Sequence, residues 1–134
     1  RVLKVLIDGL GPGVDAYLGL LLPGCDTLSF VGLSDDATCH GRKMERPTGA
    51  SWKVIGNSTG IYVADVFAEC SKSDGGLGLH FFEEGTVTRQ GTYMAVPVVG
   101  LVSSRVEQRV LGVLAVDCLL PHDDVANLPD GETP

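Results

Sequence analysis

Basic residues are the first shortage in this chain. Ten Lys and Arg stand against 17 Asp and Glu, a formal net charge of −7. Binding a phosphate backbone needs a net basic face, so nucleic acid is excluded as the main partner. The one basic cluster is short: Arg42, Lys43 and Arg46, with Lys53 nearby. No run reaches the ~18–20 consecutive apolar residues that a helical membrane span requires. The opening RVLKVLIDGL carries no small-residue cleavage site and does not read as a signal peptide. Cysteines are few (Cys25, Cys39, Cys70 and Cys118), and none has CxxC spacing. That pattern reads as reduced core or loop thiols in an intracellular, cytoplasmic setting. It offers no paired ligands for a structural zinc site. Cys70 with His80, or Cys118 with His122, could only be a weak metal pair, since Pro121 disfavours a regular helix at the second.

What is present is a globular composition, 44% hydrophobic and 20% charged in 134 residues. That length suits one domain with a real core. Eighteen glycines mark turns and close backbone approaches, and seven prolines mark edges and ends. A single domain is expected over residues 1–120, followed by a flexible C-terminal tail over 121–134. The opening without Met and the ending PDGETP read as a piece of a longer protein.

Val2, Leu3, Leu6, Ile7 and Leu10 recur at helical spacing, and Gly9, Gly11, Pro12 and Gly13 stop the run. Residues 16–22 (AYLGLLL) and 27–34 (TLSFVGLS) flank Pro23-Gly24 and predict a hairpin, with Leu28 and Phe30 on one face and Cys25 accessible near its tip. Residues 35–47 are polar and without period, which predicts a loop. A helix is expected over 49–57, with Thr48 as its N-cap and Trp52 and Ile55 on one face. Residues 61–66 (IYVADV) read as a strand. Residues 67–90 lack a clear period, and a connection that long inside a domain is usually functional or mobile. Residues 92–118 then hold two apolar segments about a polar turn, an antiparallel pair at the centre of a domain. Its second segment, 110–116, is apolar on both faces as a doubly covered strand should be. Pro97 removes a ladder donor, so it belongs at a bulge or where no partner faces it.

The wording AYLGLL, PTGASWKVIGNSTGIYVADV and TYMAVPV…RVLGVLAVDC, in that order, resembles the GAF family of small sensor modules. Gly49, residues 61–63, Asp65 and Val66 match one family pattern, and residues 95–97 and 111–117 match another. The resemblance implies an α+β fold: a central antiparallel β-sheet with helices on one face and a loop-covered ligand pocket on the other. It implies a regulatory or assembly module whose partners are other domains of its parent protein or a separate protein.

Within that frame, the pocket is expected to draw on Gly49, Ala50, Ser51, Trp52, Asp65, Phe67 and Tyr93. Backbone N–H groups of Gly49, Ala50 and Ser51 at a helix start could hold a small anionic ligand, with Arg42, Lys43 and Arg46 adding charge. Solvated loop cations and core-filling Trp52 and Tyr93 are the plainer alternatives. The cyclic-nucleotide signature of the family cannot be placed, since Phe67, Glu69 and Lys72 lack its order. Cys39-His40 lies upstream of the family's bilin-binding position. Cys118 prompts comparison with the branch that reduces free methionine sulfoxide. However, Gly91 and Thr92 stand where its nucleophile is expected, and Ser51 replaces a second cysteine. Cys118 is therefore expected to be a small buried residue at a strand end. No catalytic residue, cofactor or metal is assigned. The alternatives are a redox enzyme of that branch and a filled-pocket scaffold for protein–protein interaction.

Overall fold

The computed structural model describes residues 13–22, 24–34, 39–46, 49–74, 76–79, 89–101 and 108–121. The helical spacing expected near the N-terminus and the tail beyond Pro121 lie outside the described residues, and the helix expected to be capped by Thr48 has Gly49 in that position instead.

Alternating side chains form a hairpin from β1 (Asp15–Leu21) and β2 (Thr27–Gly32). Cys25 N–H donates to the Leu22 carbonyl across the turn at 3.1 Å, leaving Cys25 exposed. Leu28 and Phe30 are buried while Ser29 and Val31 are only partly covered, the two-residue period of a strand with one better-covered face. The loop expected over 35–47 contains a further strand, β3 (Lys43–Glu45), paired with β2 through Leu28↔Met44. Three residues are too few to show a period, and burial of Met44 between two exposed neighbours is what anchors them.

α1 (Ala50–Asn57) follows, with Gly49 in the capping position and no side-chain cap. Its apolar stripe buries Trp52, Val54 and Ile55. β4 is shorter than expected, Ile61–Val63, because Asp65 starts a second helix, α2 (Val66–Cys70). β5 (Arg89–Leu101) and β6 (Gln108–Pro121) form the long closing hairpin. Pro97 sits beyond Ala95, the last residue of β5 that β4 pairs with, and one residue before a register irregularity at Val98/Val99. Both features are the kind of place where a missing N–H is tolerated.

The strands make one six-stranded antiparallel sheet in the order β3-β2-β1-β6-β5-β4. β6, the last strand in sequence, therefore lies between β1 and β5. Gly112 permits that insertion, since a Cβ there would run into the Gly19 carbonyl of β1. The fold is mostly β, with few helical residues.

One face of the sheet carries the core. Leu28, Phe30, Val63, Tyr93, Ala95, Val113 and Ala115 cluster there with Trp52, Val54 and Ile55 of α1 and Val66 of α2. Leu28, Val54, Val66 and Val113 are the largest fully buried side chains, each contributing about 1.5–3 kcal/mol of hydrophobic stabilisation. Both described helices thus cover the face that also holds Ser51 and Tyr93.

Candidate functional site

Three hydroxyls meet beneath the start of α1. Ser51 is the only buried polar residue among those described, 5% exposed in the first turn of α1. Tyr93 projects from β5 toward it, near enough to Ser51 and to Tyr17 of β1 for both to influence its phenol. The register explains the meeting. Tyr17 opposes Ala115 of β6, Tyr93 opposes Asp117 two residues on, and the odd-numbered residues of both outer strands face the core. The Tyr17 ring also packs edge-on against Phe30, centroids 5.8 Å apart.

Charge surrounds this cluster of hydroxyls on one side only. Burial, then repulsion from Tyr93 and Asp117, pushes the Tyr17 phenol well above its usual range. Burial also raises Tyr93, with Asp117 adding to the effect, while the neighbouring Ser51 and Tyr17 pull the other way. Cys39, 6% exposed, lies close enough to respond to Asp117 and Asp15. Burial is the main cause that pushes its thiol up to about 11. A thiol so placed is protonated at neutral pH and is not an activated nucleophile. Asp15 is itself held by Ser34, whose hydroxyl donates to Oδ1 at 2.9 Å. The arrangement can donate and accept hydrogen bonds, and its two phenols and one thiol stay neutral while doing so.

Of the expected pocket residues, Ser51 and Tyr93 are brought together, with Gly49 and Ala50 beside them at the helix start. Gly49 backs closely onto Met44 and Gly78. The α1 start has no acidic residue in its first turn, a feature compatible with an anion. Three other residues fall elsewhere. Trp52 is a core residue, its Nε1–H donating to the Met44 carbonyl at 3.3 Å and its ring lying 4.6 Å from the Arg46 guanidinium. Asp65 is exposed and caps α2 by accepting from Ala68 N–H at 3.0 Å, as Asp at a helix start commonly does. Phe67, inside α2, is only partly buried. Arg46 is turned to Asp26, at 3.1 Å, and Arg42 and Lys43 are exposed.

Cys118 corrects another expectation. It is exposed rather than buried. It pairs with Thr92, one step out of phase with Tyr93 and Asp117, so it projects from the opposite face of the sheet from Ser51. His40 is exposed and its Nδ1 accepts from Gly32 N–H at 3.2 Å. His80 and His122 lie outside the described residues. Among the described residues no group of three metal-ligating side chains converges, and no described helix is long and apolar enough to cross a membrane.

The sequence alone assigns no site role to Tyr17, Asp15 or Asp117, and it marks Cys39 only as the neighbour of His40. The inward phase of Tyr17 with Gly19 and Leu21 was a usable signal. Nothing local linked it to Tyr93. A scan of protein-family models and a search of curated proteins each gave no match to this chain.

Proposed function

We propose that this chain is a non-catalytic regulatory or assembly module of the GAF type, part of a larger intracellular protein. Its ligand would be a small anionic molecule bound between α1 and the sheet. The observation that carries this reading is the cluster of buried Ser51 and Tyr93 with half-buried Tyr17 beneath an α1 start that has no side-chain cap. The single antiparallel sheet, in the order β3-β2-β1-β6-β5-β4, is the architectural support for it. Ligand binding would replace hydroxyl–hydroxyl contacts with ligand–hydroxyl bonds, and a change in the packing of α1 would carry the signal outward.

A second reading is favoured by one fact: none of the described buried side-chain polar atoms lacks a partner. A site already satisfied suits a filled-pocket scaffold that acts only through protein–protein contact. The sulfoxide-reducing alternative is weakened by Cys118 standing on the other face.

Thermal shift of the intact chain with cyclic nucleotides, inorganic phosphate and methionine sulfoxide separates these readings. Under the module reading at least one raises the melting temperature, by about 2.7 kcal/mol of added stability at a hundredfold excess over Kd. Ser51→Ala and Tyr93→Phe should each abolish that rise. No rise with any of them favours the scaffold. Sulfoxide turnover lost in Cys118→Ser would instead establish an enzyme.

A further inference from the structure

Residues 76–79 pass directly over the start of α1. Gly49 and Gly78 stand back to back at φ 89° and 67°, and a Cβ on Gly49 would lie 3.4 Å from the Gly78 carbonyl oxygen. Two glycines at positive φ let the chain cross a helix start at that distance. The same segment is tied to both helices. Lys53 Nζ of α1 donates to the Gly76 carbonyl at 2.8 Å. Leu77 N–H donates to Oε1 of Glu69 in α2 at 2.9 Å, and Lys72 holds the other carboxylate oxygen. Gly76 makes room for that carboxylate, since a Cβ there would stand 2.7 Å from Oε1. Leu77 and Leu79 seat the segment against the core.

We propose that residues 76–79 are a clasp coupling the start of α1 to the folding of α2, so that a ligand lodging beside Gly49 displaces Gly78 and releases α2. Coupling of this kind needs an element with two states, and α2 is one. Its five residues are too few for a helix to persist alone, and Val66 is the only one of them that is buried. Its polar anchors include the Asp65 cap and the Glu69 tie to the clasp. Moving Gly78 also moves Leu77 and Gly76, the next two residues back along the chain. The bonds those two make to Glu69 and Lys53 weaken steeply once misaligned. The proposal rests on the module reading for its trigger alone, because the coupling between Lys53 and α2 needs no ligand.

Amide hydrogen exchange of the full chain tests it. Glu69 N–H and Ser71 N–H donate to the Asp65 and Phe67 carbonyls and so report on α2, while amides of the β5–β6 ladder report on the whole fold. Lys53→Met removes the α1 tie and should speed exchange at Glu69 and Ser71 about fivefold, with the ladder amides unchanged. Lys53→Arg keeps a donor and should restore most of the protection. Unchanged α2 exchange in Lys53→Met overturns the proposal, and so does acceleration shared equally by the ladder. Inorganic phosphate at constant pH then tests the trigger. If it raises the melting temperature, it should also speed exchange at Glu69 and Ser71 relative to the ladder, and binding without that acceleration overturns the proposal. Phosphate that shifts nothing counts against the module reading instead, and Lys53→Met still decides the coupling.

Discussion

Gly49 holds φ 89° and ψ 169°, a combination that side chains rarely tolerate, and a Cβ there would stand 2.9 Å from Met44 Sδ. Gly49→Ala is expected to destabilise the fold by about 1–3 kcal/mol, measured as a lower urea midpoint. The sequence shows a glycine before a helix but not the methionine packed behind it. Cys39 makes a different kind of claim. Its folded-state pKa, about 11 against an ordinary 9.0, is raised chiefly by burial, with Asp117 and Asp15 adding repulsion. The folded state therefore holds this proton more tightly than the unfolded chain. Its contribution to stability is complete below pH 9 and is lost as pH climbs toward 11. Tyr17 acts in the same direction at higher pH. Unfolding free energy measured across that range should fall with pH, and Cys39→Ala should make the fall shallower. Superimposable profiles would refute the assignment.

α2 spans only five residues, too few to persist without help. Asp65 supplies that help from the capping position, and Glu69 adds two links within the same loop, to Lys72 and to Leu77 N–H. Asp65→Ala should cost about 0.5–2 kcal/mol by thermal melting, and Asp65→Asn much less, because its side-chain oxygen still accepts from the helix start. IYVADV alternates like a strand, and that alternation alone predicts a β4 running through this residue. Capping overrode alternation, since Asp at a helix start satisfies an N–H that a strand residue would leave to its neighbour. β3 was illegible for the opposite reason. Three residues carry no period, and only pairing with β2 makes them a strand. β1, β2, α1 and the closing hairpin were legible, because each repeats its own period for six residues or more.

For the molecule as a whole, the covered face is the mechanical core. Leu28, fully buried there, should lose about 2–5 kcal/mol on change to Ala, read from urea denaturation. Leu101, 75% exposed near the end of β5, should change stability by less than about 0.5 kcal/mol under the same substitution. Only part of the candidate site was legible in the same sense. Ser51 and Tyr93 could be named from their places at a helix start and on an apolar strand. Tyr17, Cys39 and Asp117 could not, because each meets the others only through strand order. The chain alone determined a mostly antiparallel sheet, its long closing hairpin and its lack of a basic face. Those properties follow from composition and from periods only a few residues long. Tertiary structure decided which strands became neighbours. By placing β6 between β1 and β5 it brought Tyr17 against Tyr93 and turned Cys118 away from them. Those pairings are set by which faces bury apolar surface together, a property of the assembled sheet that no single segment contains.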